Sequence, residues 1–199
     1  MRAVGMGGLL HDIGMLRVPL SIRQAARPLT EREWHEVRRH PLHSLDMLAS
    51  VRGLPQLVKM IVYQVHERSD GSGYPRGRRD AHLHQLSKIV GVADAYAAMT
   101  RERPYRPAMA PYEAARTILY EGAQGRFDRS IVRAMLDTVS LFPIGSRVVL
   151  SNGAAARVLR AVPGLHTRPV VEELGGDGSP TGHIIELAQN DHLRIVSAG

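Results

Sequence analysis

The sequence predicts a mainly helical fold followed by a small β-rich extension. Three observations carry that prediction. Apolar residues recur at helical spacing through most of the first 140 residues, proline and glycine cut this region into helix-sized pieces, and short β-branched runs joined at turn signals begin after Phe142-Pro143. The expected division is residues 1–142 as the helical domain and 143–199 as the extension.

Thr30-Glu31-Arg32-Glu33 has the pattern of a capping box and should open a helix running towards Arg39. Pro41 is expected to break it, with a second helix over Leu42 to Ser50. Positions 54, 57, 58, 61, 62 and 65 form an apolar stripe at helical spacing, so Leu54 to Glu67 reads as a helix ending in a glycine-rich loop. Leu86, Ile89, Val90, Ala93 and Tyr96 repeat the pattern beyond that loop. Pro111 at a first turn and Asp128 as an N-cap open two more helices. In the extension, Arg147 to Leu150 and Ala155 to Leu159 flank Asn152-Gly153, a hairpin signal, and strands follow near 169–174, 183–187 and 193–196.

At 199 residues the chain can bury a sizeable core, and no apolar run approaches the roughly 20 residues needed to cross a bilayer. The first ten residues lead straight into His11-Asp12 rather than a small-residue cleavage site, so a cytoplasmic protein without a membrane segment is expected. With no cysteine, disulfides, thiolate nucleophiles and zinc–cysteine sites are excluded. The net charge is +7, carried almost wholly by arginine, since Lys59 and Lys88 are the only lysines. Arginine suits bidentate phosphate contacts, although a solvated arginine-rich surface accounts for the composition equally well. Nucleic-acid binding is not expected, because no basic residues alternate with stacking aromatics.

Five residues on four segments attract attention as possible metal ligands. His11 and Asp12 are flanked by glycines in GGLLHDIG; on a helix, adjacent side chains diverge by about 100°, which would leave the pair at the rim of a site or bridging two ions. His40 stands before Pro41, His66 continues the row Val58, Val62, and Asp94 follows Val90 on a similar row. An aspartate on an apolar face costs several kcal/mol unless an arginine or a cation answers it. Three imidazoles and two carboxylates suit a pair of divalent transition ions, with one carboxylate bridging.

The motifs LLHDIG, RHP, HERSDGSGYPRG, KIVGVADAY, TRERPYR and GRFD occur in an order and spacing that resemble the HD-GYP family, the metal-dependent HD-superfamily phosphohydrolases that cleave cyclic di-GMP. The resemblance implies an HD-superfamily helical bundle. It also implies that His11, Asp12, His40, His66 and Asp94 hold two divalent ions, iron, manganese, nickel or zinc, with Asp12 as the bridging, catalytic ligand. Gly73 and Tyr74 would line the substrate loop, and Arg103 and Arg106 would contact the phosphates of the cyclic dinucleotide. The expected reaction is in-line attack on a phosphodiester by water or hydroxide held between the ions, giving pGpG or GMP.

Three positions and one helix depart from the family pattern. Met15 stands where the family usually has lysine, Val65 where it has the first of two histidines, and Ala97 at a familiar acidic position. The helix that in the family precedes the His-Asp pair and supplies another ligand would lie before Met1. Two readings therefore stand side by side: an active phosphodiesterase, or a degenerate member that binds cyclic di-GMP or a partner such as a diguanylate cyclase domain without turnover.

Overall fold

The structure, a computed structural model, describes residues 2–102 and 106–198, so the Arg103 expectation lies outside the described residues. Its helices are α1 (Arg2–Leu10), α2 (Leu20–Arg23), α3 (Glu31–Arg38), α4 (His40–Ala49), α5 (Gln56–Gln64), α6 (Gln85–Thr100), α7 (Pro111–Ala123) and α8 (Arg129–Val139). No helix among the described residues is long and apolar enough to cross a membrane. Two compact units result: Met1–Met109 with Ile118–Val132, and Ala110–Thr117 with Arg133–Gly199.

In the first unit, α5 is the central element because its apolar stripe is wide enough to serve two sets of neighbours. Val58 and Val62 pack with Leu48 of α4 and with Ala3 and Leu10 of α1, while Ile61 and Val65 pack with Val90 of α6 and Val4 of α1. Close approach depends on two glycines without side chains. A Cβ on Gly7 would sit 2.6 Å from Ile61 Cγ2, and one on Gly91 would sit 2.6 Å from the Val65 carbonyl oxygen.

Thr30 opens α3 as the pattern predicts: its hydroxyl accepts the Glu33 N–H, and the Glu33 carboxylate accepts the Thr30 N–H at 2.8 Å. The break after α3 falls at Arg39 rather than at Pro41. Pro41 instead lies in the first turn of α4, where a helix does not need its missing N–H and favours its fixed φ.

The second unit contains a five-stranded antiparallel sheet in the order β4-β3-β2-β1-β5, built from β1 (Arg147–Leu150), β2 (Ala155–Arg160), β3 (Val170–Leu174), β4 (Pro180–Glu186) and β5 (Ile195–Ala198). The β1–β2 hairpin turns at Asn152-Gly153, where Gly153 has φ +86° and Asn152 Oδ1 accepts the Ala154 N–H. Val148, Leu150, Ala156 and Val158 alternate inward along the two strands.

Candidate metal centre and adjoining cleft

His11 and Asp12 do not lie on a helix. They occupy a turn between α1 and a 3-10 turn at Ile13–Arg17, which releases the two side chains from the divergence a helix would impose. Ser44 holds this turn against α4: its Oγ accepts the Gly14 N–H and donates to the His11 carbonyl, both at 2.8 Å. Only glycine fits at position 14, since a Cβ there would come within 2.1 Å of the His40 carbonyl oxygen. His40 begins α4, His66 stands just past the end of α5, and Asp94 sits midway along α6.

These four segments bring the five predicted residues together. Asp12 Oδ1 lies 3.1 Å from His40 Nε2 and 3.5 Å from His66 Nε2, while its Oδ2 lies 3.3 Å from His11 Nε2. Asp94 faces His11 Nε2 at 3.4 Å and His66 Nδ1 at 3.6 Å. Ligand atoms of His11, Asp12 and His66 all fall within 4.8 Å of one another.

Hydrogen bonding shows what the imidazoles are prepared to do. His11 Nδ1 is 2.7 Å from the Gly8 carbonyl oxygen and His40 Nδ1 is 2.8 Å from that of Val37. A carbonyl only accepts, so each Nδ1 donates and each Nε2 of the neutral ring presents a lone pair to the cluster. The Nε2 atoms of His11, His40 and His66 are buried and make no aligned hydrogen bond, despite the short distances to carboxylate oxygens. Donors and acceptors converge on a shared space instead of on each other, and mixed nitrogen and oxygen ligands suit divalent transition ions. The donor set therefore fits a metal.

Electrostatics agree. Burial opposes charge on the His11 imidazole, but Asp12 and Asp94 outweigh it and lift its pKa to about 10. Burial likewise works against the Asp12 anion, yet the close imidazoles of His11, His40 and His66 hold its carboxyl well below the usual carboxylate range. His66, more deeply buried, is shifted downward by desolvation. A cation held here would take the place of the His11 proton between the Asp12 and Asp94 carboxylates.

The glycine-rich loop after α5 closes over this cluster. Tyr74 stacks on His66 with ring centroids 4.9 Å apart and 19° between planes, and its N–H donates to the His66 carbonyl. Burial raises the Tyr74 hydroxyl pKa, against the nearby Arg68 charge. Gly73 lines the loop where it presses on the chain after α5; a Cβ there would lie 2.4 Å from the Arg68 nitrogen.

Two residues that sequence reasoning did not single out hold the loop. The buried Glu67 accepts the N–H groups of Arg76 and Arg78 with its two carboxylate oxygens, each at 2.9 Å. Gln64 pins the far end through the His82 carbonyl and the His84 N–H. The signal available was weak: an acidic and an amide side chain near the end of an otherwise apolar helix.

Arg106 does not join the cluster. Its guanidinium donates to the Ala98 and Met99 carbonyls at 2.9 and 3.3 Å, closing the last turn of α6. Cationic groups come instead from residues the sequence analysis left unassigned. A cleft of about 210 Å³, bordered by His66 and Tyr74, is walled by Trp34, Arg38, Arg68 and Arg126. Val65, where the family has histidine, is 1% exposed and packs with Ile61 and Val90 in the core.

Residues 1–131 match the HD domain family. The cyclic di-GMP phosphodiesterase PA4108 of Pseudomonas aeruginosa is 37% identical over 79% of this chain and 38% of its own length. The 3'3'-cGAMP-specific phosphodiesterase 1 of Vibrio cholerae is 37% identical over 65% of this chain and 30% of its own. Among solved structures, the HD-GYP protein Bd1817 of Bdellovibrio bacteriovorus shares the fold, with a TM-score of 0.56 and 22% identity over 68% of this chain and 42% of that one. The chain belongs to the HD domain family. It spans well under half the length of the two curated relatives named here.

Proposed function

We propose that this chain is the hydrolytic module of a cyclic dinucleotide phosphodiesterase acting on cyclic di-GMP, with two divalent transition ions at the cluster. One observation carries the reading: three buried imidazole Nε2 atoms with no aligned partner surround two carboxylates, and the His11 and His40 rings are oriented from behind by backbone carbonyls. Divalent ions at such a site supply a water of lowered pKa and draw charge from the phosphoryl oxygens.

The rest falls to the chain's own residues. Asp12 faces His40 and His66 with one oxygen and His11 with the other, which supports the reading that it would be the ligand shared by the ions. His11, His40, His66 and Asp94 complete the holding set. Tyr74, seated on His66, shields that ligand and offers a phenol edge to the nucleotide. The relatives' names support the substrate class: one acts on cyclic di-GMP and one on 3'3'-cGAMP.

The test is direct. Protein purified without chelator should carry close to two transition ions per chain and cleave cyclic di-GMP, and turnover should vanish in Asp12→Ala. If the unmodified protein neither holds metal nor cleaves the dinucleotide with added manganese, iron, nickel or zinc, the reading fails. Val65 favours a second reading, because its side chain is committed to the core and the imidazole found there in the family is lost. In that reading the module binds the dinucleotide, or a diguanylate cyclase partner, without hydrolysis; saturable binding without cleavage in the metal-loaded protein would establish it.

A further inference from the structure

We infer that the cleft beside His66 is a separate subsite that holds the distal phosphodiester of a cyclic dinucleotide on arginine and stacks one purine on Trp34. The inference rests on the substrate class proposed above and adds where the non-reacting half of the ligand lies.

Charge balance motivates it. A cyclic dinucleotide carries two phosphodiester anions, and the metal cluster is built to meet one of them. The second needs cations; position 15 is methionine, and among the described residues the Arg106 guanidinium is occupied by the α6 carbonyls. The cleft supplies three cations. Arg38 has no carboxylate partner among the described residues, whereas Arg126 is paired with Glu121 at 3.0 Å. Arg68 sits over the Phe127 ring at 4.7 Å and, among the described residues, donates to the Val65 and Glu67 carbonyls. One acidic partner among three guanidiniums leaves a net positive cleft.

Shape and surface chemistry add a second argument. Arg38 follows Trp34 by four residues, so the two share one face of α3, whose start is fixed by the Thr30 capping box. Trp34 is 40% exposed, an unusual position for an indole unless something covers it. In a cleft also lined by three arginines, an aromatic ring is the platform that a nucleobase stacks on, a contact of wide base tolerance. At about 210 Å³ the cleft is smaller than the roughly 300–1,000 Å³ of pockets that enclose a drug-sized ligand. It therefore accepts part of a dinucleotide, and since His66 belongs to both the cluster and the cleft, the remainder reaches the metals.

Trp34 is the chain's one tryptophan, so its emission reports on this cleft alone. The experiment is stopped-flow mixing of the metal-loaded full chain with cyclic di-GMP, following tryptophan emission before turnover, with hydrolysis assayed separately. The expected result is a saturable change in emission whose half-saturating concentration rises about 10- to 100-fold in Arg38→Ala and in Arg126→Ala. Arg38→Lys should recover part of the loss. Arg38 is exposed, so its removal leaves the fold intact, which circular dichroism checks. An unchanged emission at saturating ligand, or affinity in Arg38→Ala within twofold of the unmodified chain, overturns the subsite. Hydrolysis with a silent Trp34 would sink the subsite and leave the phosphodiesterase standing. A Trp34 response with Arg38 dependence and no hydrolysis would do the reverse.

Discussion

Replacing Glu67 by glutamine tests whether one buried carboxylate organises the loop over the cluster. Glutamine has nearly the same shape, so the change isolates acceptor capacity. In the native chain both carboxylate oxygens accept a backbone N–H, from Arg76 and from Arg78 at 2.9 Å each. Two hydrogen bonds to a charged acceptor contribute roughly 3–6 kcal/mol together, and a glutamine oxygen retains one neutral bond of about 0.5–1.5 kcal/mol. The other N–H then meets the amide NH₂, donor against donor. Because Arg76 and Arg78 are exposed, water satisfies part of what is lost, leaving a cost to loop closure of about 2 kcal/mol, or roughly 30-fold in the opening equilibrium. Amide hydrogen exchange measured by NMR should show Arg76 and Arg78 exchanging about 30-fold faster, with metal affinity lowered as Tyr74 loosens from His66. If both amides keep their native exchange rates in Glu67→Gln, the carboxylate does not hold the loop and the reasoning is wrong.

Metal should stabilise the fold, since the buried Nε2 atoms gain partners: at about 100 times the dissociation constant, manganese adds about 2.7 kcal/mol, which for a chain of this size raises Tm by roughly 5–10 °C. Differential scanning calorimetry should find that rise in the unmodified chain and not in His40→Ala. Gly73→Ala forces a Cβ against the backbone of Glu67 and Arg68, at 2.5 and 2.4 Å, and should cost about 1–3 kcal/mol, read as a thermal melt at least about 3 °C lower. The Glu33 carboxyl, held by Arg27 and the Thr30 N–H, is pushed down to about 2 from 4.5. A depressed folded-state pKa gives stability that is present above pH 4.5 and lost as pH falls towards 2, so the urea midpoints of the native chain and Glu33→Gln should differ at pH 6 and converge by pH 2. Midpoints that stay equally separated across that range would show that Glu33 is not the titrating group.

What was legible in the sequence was what repeats locally. The α5 stripe declared its helix because burial on two sides leaves a wide apolar band, and Thr30 and Asn152-Gly153 announced their cap and turn through side-chain chemistry that acts within three residues. The five clustered residues were named from their motifs, but their juxtaposition is a property of helix packing. Pro41 misled by one feature, since proline breaks a helix interior yet suits a first turn. His11 and Asp12 were placed on a helix because glycines on either side do not reveal where α1 stops. Ser44 was invisible, for its partners are 30 and 33 residues away, as were the directions taken by the guanidiniums of Arg38, Arg68 and Arg106.

The Ser44 hydroxyl has a consequence for metal choice. It ties the turn bearing His11 and Asp12 to the same helix that begins with His40, so a hydrogen-bonded contact of the chain itself sets these three side chains near one another. In the proposed metal centre, ions of differing radius would therefore meet donors whose spacing is set in part by the chain's own hydrogen bonds.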